Sequence, residues 1–224
     1  GAATWWSGFE AMVRAYPVPD SVFTETLEAL GRDARADLMP VELQSSTDLA
    51  WYTDRVAGTV AVACVSIWGL RRGWRDGEEA GIAARAGRLA VLRARAVQIT
   101  NILRDLREDL DDGLWRSYLP SESYERHGLT ARDLLAWRDG ARCARFIGAW
   151  VAEARRLYEA SDALESLVHP SCARVSWALA AVYRALLEEI ARDPARVARE
   201  RVSVRRRRKM GIALAGYLGV GLPG

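Results

Sequence analysis

Long apolar runs are missing from this sequence of 224 residues. A helix that crosses a bilayer needs roughly 20 mostly apolar residues in succession, so the sequence predicts no membrane span. It also has no basic and then apolar opening segment of the kind that marks a secretory signal. We therefore expect a cytoplasmic protein, with peripheral association at the inner face of the membrane as a further option.

The chain also has few cysteines, few histidines and a small net charge. The three cysteines are an odd and unpatterned set, which argues against a disulfide framework and favours a reducing compartment. His127 and His169 stand alone, without the spacing of a zinc site, so both are expected to be surface residues. A net charge of +3, from 32 basic and 29 acidic residues, is too small to indicate a nucleic-acid partner.

No Pro/Gly/Ser-rich linker divides the chain, which predicts a single domain over residues 1–224. Ala, Leu, Arg and Glu are abundant and no segment alternates apolar with polar residues, so the predicted fold class is all-α. Helix start and stop residues predict helices over about 20–37, from near Thr47 to Gly69, from Glu78 to Leu110, from Thr130 towards Ala160, and from Arg174 to Ala191.

A row of polar side chains runs along the helix predicted from Glu78 to Leu110. Gln98, Asn101, Asp105 and Asp109 are three or four residues apart, so all four share one helix face. Two carboxylates one turn apart repel each other unless a cation compensates them. Mg²⁺ suits this position because it prefers one or two carboxylates together with the oxygens of a phosphorylated substrate. The simpler interpretation, a solvated surface pair, stays open for this spacing alone.

Tyr52 lies on the apolar helix that precedes this row. A buried tyrosine hydroxyl needs a hydrogen-bond partner, so Tyr52 is either a core residue or part of a site. The basic run 205–209, which an apolar segment follows, allows four interpretations: a solvated face, a diphosphate-binding helix end, a contact with a membrane surface, or a nucleic-acid patch. The last is the weakest because no aromatic residues lie within the run.

Three strings in the sequence are more specific than these spacings. They are Arg55-Val-Ala-Gly-Thr-Val60, Gln98-Ile-Thr-Asn-Ile-Leu-Arg-Asp-Leu-Arg-Glu-Asp109, and Tyr118-Leu-Pro120. Together they closely resemble the squalene/phytoene synthase family, and the likeness continues through Val182-Tyr-Arg184 to Arg201 and Lys209.

The resemblance implies an isoprenoid synthase-type helical bundle around an apolar cavity, and an enzyme that joins two prenyl diphosphates head to head. Geranylgeranyl diphosphate to phytoene is the preferred reaction, and farnesyl diphosphate to squalene or dehydrosqualene is the second. The implied cofactor is Mg²⁺, with Mn²⁺ as a substitute. The implied roles are metal binding for Asp105, Asp109 and Asn101, catalysis for both aspartates and Tyr52, and substrate binding for Arg55, Gln98, Asn101, Arg104 and Tyr118.

One part of the family pattern has no counterpart here. The first aspartate motif, expected more than a hundred residues before Asp105, finds no place in the chain, and the Asp33 to Asp37 pair is interpreted as a chance match in spacing. We therefore expect an N-terminally incomplete domain. The alternative function is that of a non-catalytic relative, a helical module for assembly or lipid binding.

Overall fold

The computed structural model describes residues 2–36, 41–71, 78–111 and 115–220, and these ranges are almost entirely helical. The α-helices are α1 (Ala2–Ala15), α2 (Asp20–Ala36), α3 (Ser46–Thr53), α4 (Thr59–Trp68), α5 (Glu79–Asp111), α6 (Ser121–Arg126), α7 (Ala131–Leu135), α8 (Gly140–Ala160), α9 (Leu164–Leu167), α10 (Pro170–Arg192) and α11 (Arg206–Leu218). The predicted all-α class is confirmed. Within the described ranges, no helix combines the length and the apolar character that a membrane crossing requires.

The 33-residue helix α5 is the centre of the fold. One side of it, with Ile99, Leu103 and Leu106, is buried in the same apolar cluster as Phe146 and Ile147 of α8. Burial of a large apolar side chain contributes about 1.5–3 kcal/mol, so this packing fixes the orientation of α5 about its own axis. The polar row is consequently held on a different face of the helix.

The helix predicted from near Thr47 to Gly69 is continuous but irregular. It begins at Ser46, where the hydroxyl of Ser45 accepts a hydrogen bond from the Asp48 amide and the Asp48 carboxylate reaches back in a capping box. Its middle, Asp54–Gly58, is π-helical. Such wide turns are rare and occur frequently at functional sites.

The single helix predicted from Thr130 towards Ala160 is wrong. Thr130 does start a helix with a capping box to Asp133, but α7 ends at Leu135. Trp137 then has a φ of 50°, which no regular α-helix accommodates. Asp139 begins α8 by accepting a hydrogen bond from the amide of Arg142. This second cap favours a new helix over continuation of the first.

The structure refines one further prediction and adds two short strands. The helix predicted from Arg174 starts at Pro170, where the His169 ring accepts a hydrogen bond from the Ser171 amide. Short strands β1 (Val41–Glu42) and β2 (Arg116–Ser117), which the sequence did not predict, pair in parallel and tie the segment before α3 to the segment after α5. The Asp33 and Asp37 side chains lie outside the part that the structure describes.

Candidate active site

The four residues of the polar row are all half-buried on one side of α5, as the spacing predicted. Asn101 Nδ2 lies 3.5 Å from Gln98 Oε1, at the limit of a hydrogen bond. The negative charge of Asp105 acts on the carboxyl of Asp109 one turn later. The two amides and the two carboxylates therefore form one continuous polar stripe.

Asp105 is the most heavily contacted residue of the row. Its carboxylate accepts two hydrogen bonds from Arg104, at 2.8 Å from Nε and 2.5 Å from Nη2. Arg201 Nε lies 2.9 Å from the same carboxylate, and its Nη1 lies 3.7 Å from Glu108. Two guanidinium groups thus meet at one half-buried carboxylate, an arrangement that also suits binding of a diphosphate because arginine matches phosphate oxygens in pairs.

Asp109 has the opposite electrostatic environment. The pKa of its carboxyl is raised from 3.8 to about 6, mainly because burial penalises the charged form and secondly because Asp105 is negative. Arg116 and Arg104 lower the pKa again, but only in part. A carboxylate in this environment gains from a further cation, since the protein itself leaves its charge undercompensated.

Asn101 provides a second sign of an incomplete site. Its Oδ1 atom is buried and has no hydrogen-bond partner among the residues that the structure describes. An unsatisfied buried acceptor costs about 1–3 kcal/mol, so such atoms call for an explanation. An amide oxygen beside two carboxylates is the kind of ligand that hard divalent cations take.

Tyr52, predicted to be catalytic, and Tyr118, predicted to bind substrate, stack on each other with ring centroids 5.1 Å apart. Tyr118 and Asp109 also line one small cavity of about 10 Å³, together with Arg116. This volume holds about one water molecule. The cavity is therefore too small for a hydrated metal ion or a diphosphate.

Arg55 has partners away from the row. Its Nε lies 3.2 Å from Glu28 of α2, and its guanidinium lies 4.4 Å from the ring centroid of Trp51. The other predicted residues, by contrast, form two connected groups, the α5 row with Arg104 and the stacked pair Tyr52 and Tyr118. The proposed role of Arg55 in substrate binding stays a prediction.

Tyr183 and Arg201 belong to the site but were not among the predicted site residues. The pKa of Arg104 is raised mainly by its hydrogen bonds to Asp105 and secondly by the side chain of Tyr183, which interacts with it, while burial lowers this pKa in part. The strings that carry the family resemblance include both residues. Sequence spacing does not predict that they lie at the site, however. They follow the row by about 80 to 100 residues, and only the folding of the chain brings them next to it.

An open apolar groove of about 780 Å³ lies between α10 and α11. Val175, Leu179 and Val182 of α10 line it, and Val182 is followed in the chain by Tyr183, which contacts Arg104. Val175 and Leu179 are 61% and 54% exposed, unusually open for large apolar side chains on adjacent turns. The groove therefore offers an exposed apolar surface on α10 and α11.

Comparison with known proteins places these features in a family. Residues 2–208 match the model of the family described as squalene/phytoene synthase. The phytoene synthase of Thermus thermophilus is 32% identical over 199 residues, which cover 83% of this chain and 63% of that protein. The phytoene synthase of Mycobacterium tuberculosis is 30% identical over 205 residues, covering 90% of this chain and 62% of that protein. The chain thus spans less than two thirds of the length of these relatives.

Solved structures of similar proteins share the fold of this chain. A dehydrosqualene synthase determined with a ligand superposes with a TM-score of 0.75 at 21% identity, over 96% of this chain and 70% of that one, and shows the fold. The squalene synthase HpnC of Alicyclobacillus acidocaldarius superposes with a TM-score of 0.68 at 26% identity, over 82% of this chain and 64% of that one. The fold is therefore the isoprenoid synthase-type helical bundle, and the chain belongs to the squalene/phytoene synthase family.

Proposed function

We propose that the protein condenses two prenyl diphosphates head to head, with geranylgeranyl diphosphate to phytoene as the preferred reaction and farnesyl diphosphate to squalene or dehydrosqualene as the second. Family membership supports the reaction class. The observation that carries the proposal is the stripe on α5, where Asp105 and Asp109 lie beside the unsatisfied oxygen of Asn101 and two arginines.

The residues of the stripe fit a bound Mg²⁺ or Mn²⁺. Asp109 retains undercompensated negative charge, and Asn101 Oδ1 is a buried acceptor without a partner in the described part of the chain. Asp105, Asp109 and Asn101 would hold the ion, and the substrate would supply further oxygens. When bound, the metal would stabilise negative charge on the departing diphosphate.

The arginines of the chain would bind the diphosphate itself. Arg104 and Arg201 are now paired with Asp105, and a bound metal would compete with them for that carboxylate. Each guanidinium could then turn its parallel donors towards phosphate oxygens. Tyr183 beside Arg104 would fix the position of that side chain.

The apolar part of the substrate would lie along the groove between α10 and α11, whose lining includes Val182, the chain neighbour of Tyr183. The stacked rings of Tyr52 and Tyr118 would provide an aromatic surface that tolerates positive charge near the small cavity at Asp109. In this arrangement the charged end and the prenyl chain each meet a matching surface.

The assay is product formation from each diphosphate in the presence of Mg²⁺, with the whole protein encoded by the reading frame that contains this chain. Phytoene from geranylgeranyl diphosphate is the expected hydrocarbon, detected by gas chromatography. Absence of any hydrocarbon from either substrate would contradict the proposal and favour the alternative of a non-catalytic module for assembly or lipid binding.

We further propose peripheral binding of the protein to the inner face of the membrane through α11. Arg205–Lys209 are exposed, and an apolar stripe of Met210, Leu214 and Leu218 follows on exposed turns of the helix. A basic cluster beside exposed apolar side chains is typical of helices that lie on anionic lipid surfaces.

A further inference from the structure

The π-helical turn Asp54–Gly58 divides the helix that carries Tyr52 into two parts. Tyr52 belongs to α3, before the turn, where its ring stacks on Tyr118, and α4 follows the turn. At the end of the turn, the amide of Thr59 donates a hydrogen bond to the carbonyl oxygen of Asp54, five residues earlier instead of four. The turn therefore contains one residue more than the α-helical turn that it replaces.

This extra residue determines how α3 is oriented relative to α4. One residue turns an α-helix by about 100°, so a turn that relaxed to α-helical geometry would rotate α3 by roughly that angle if α4 stayed in place. α4 is held on two sides, because Val65 is buried in one cluster with Ala90 of α5, and the hydroxyls of Thr59 and Thr26 of α2 lie 2.9 Å apart. The orientation of Tyr52 consequently depends on the turn staying π-helical.

Asp54 connects this turn to α5. Its carboxylate accepts two hydrogen bonds from Arg95, at 2.5 Å from Nε and 2.6 Å from Nη2. This is the two-donor geometry in which a guanidinium and a carboxylate match best. The carbonyl oxygen of Asp54 is also the acceptor of the wide-turn hydrogen bond from Thr59. One residue thus takes part both in the turn and in its connection to α5.

The position of this pair separates a local role from a general stabilising one. Arg95 lies one helical turn before Gln98, the first residue of the polar row, so the pair joins the helix of Tyr52 to α5 where the row begins. The side chains of Arg95 and Asp54 are 31% and 30% exposed, and ion pairs open to solvent contribute little to global stability. Loss of the pair should therefore leave the protein folded and change the geometry of the turn.

We infer that the Asp54–Arg95 pair positions Tyr52: it keeps the turn π-helical and thereby holds the Tyr52 ring against Tyr118, which lines one small cavity with Asp109. The inference rests on the proposed condensation, in which the stacked rings provide an aromatic surface for positive charge. Asp54 and Arg95 are positioning residues that would not touch the substrate. Their effect on the reaction comes through the place of the Tyr52 ring.

The first test follows the Tyr52 ring by NMR in the whole protein labelled with ¹³C-tyrosine, and it needs no turnover. Tyr52→Phe removes one ring resonance and so assigns it. Arg95→Gln and Asp54→Asn should each move this resonance, and the double variant should move it no further than either single variant, because all three lose the same contact. The control is Glu188→Gln, which breaks the equally two-donor pair with Arg155 between α8 and α10 and should leave the Tyr52 resonance unchanged.

The second test measures the condensation in the same variants. Arg95→Gln should lower kcat roughly tenfold to a hundredfold, since a displacement of about 1 Å in a reacting site can cost that much. KM and the Mg²⁺-dependent binding of inorganic diphosphate should change by less than about twofold, because the polar row on α5 is not altered. Glu188→Gln should keep the kcat of the wild type.

Three results would overturn the inference. They are an unmoved Tyr52 resonance in Arg95→Gln, additive displacements in the double variant, and a loss of diphosphate binding as large as the loss of kcat, which would place Arg95 in substrate binding. A wild-type protein that forms no hydrocarbon would contradict the proposed function instead, and the Tyr52 resonance would still show whether the pair positions this ring.

Discussion

The pKa of the Asp109 carboxyl is raised to about 6 from an ordinary value of 3.8. Between these two values the folded protein binds more protons than the unfolded chain. The free energy of unfolding therefore falls as pH rises through this window. Above about pH 6 the loss of stability that Asp109 causes has reached its full size.

Asp109→Asn should remove this penalty in the metal-free protein. Because the group is partly solvent-screened, we expect a gain on the order of 1 kcal/mol in the free energy of unfolding at pH 7.5, and almost none at pH 4. Urea denaturation at both pH values measures this difference. A variant that is less stable than the wild type at pH 7.5 would contradict the assignment of Asp109 as an undercompensated carboxylate.

The sequence predicted the polar row on α5 because helical spacing alone determines which side chains share a face. It could not predict that Asp105 is paired with Arg201, since that contact joins residues 96 positions apart through the packing of the chain that follows α10. Nor could it show that Arg55 pairs with Glu28, because only the position of α2 determines this contact.

Among the elements, α5, α9 and α10 are joined by a buried ion pair. Arg93 and Glu165 meet at 2.8 and 3.1 Å with 9% and 4% side-chain exposure, and the hydroxyls of Ser161 and Ser176 complete the network. Removal of one partner leaves a buried charge without compensation, which typically costs about 3–5 kcal/mol.

Glu165→Gln should therefore lower the free energy of unfolding by about 3–5 kcal/mol. The matched control is Glu188→Gln, which breaks the exposed pair with Arg155 and should cost no more than about 1 kcal/mol. Chemical denaturation of both variants compares them directly. Equal losses in the two variants would show that the buried network does not stabilise the contact between these helices.

The contact between α10 and α11 depends on a glycine. A Cβ atom at Gly216 would lie 2.9 Å from the Ala178 Cβ and 3.3 Å from the Arg174 carbonyl oxygen, so Gly216→Ala must push the helices apart. We expect a loss of about 1–3 kcal/mol in stability. Gly211→Ala, in the same helix with no atom within 4 Å, should instead stabilise by about 0.5–1 kcal/mol. Thermal unfolding that ranks them in the reverse order would contradict this packing.

The composition of the sequence predicted that the chain is helical, but it did not predict where several of the helices begin and end. The break between α7 and α8 requires a left-handed backbone at Trp137, a conformation that tryptophan rarely adopts and that its sequence neighbours do not indicate. The two-residue strands escaped prediction because so short a pairing has no pattern of its own.

For the whole molecule, the basic and apolar surfaces of α11 predict binding to anionic vesicles. Leu214→Glu, which places a charge in the exposed apolar stripe, should reduce sedimentation with phosphatidylglycerol vesicles at least fivefold. Leu27→Glu on α2, equally exposed but distant in sequence from the basic run, is the control and should have little effect. Equal binding of the wild type to neutral and anionic vesicles would contradict the role of Arg205–Lys209.

The central claim, that the α5 stripe holds a divalent cation together with a diphosphate, is tested most directly by calorimetric titration of inorganic diphosphate with and without Mg²⁺. We expect Mg²⁺-dependent binding that Asp105→Asn weakens at least tenfold while the circular dichroism spectrum is retained. Asp111→Asn, which removes an exposed carboxylate from the end of the same helix, should bind like the wild type. Binding that is independent of Mg²⁺, or equal in the Asp105 and Asp111 variants, would contradict the account.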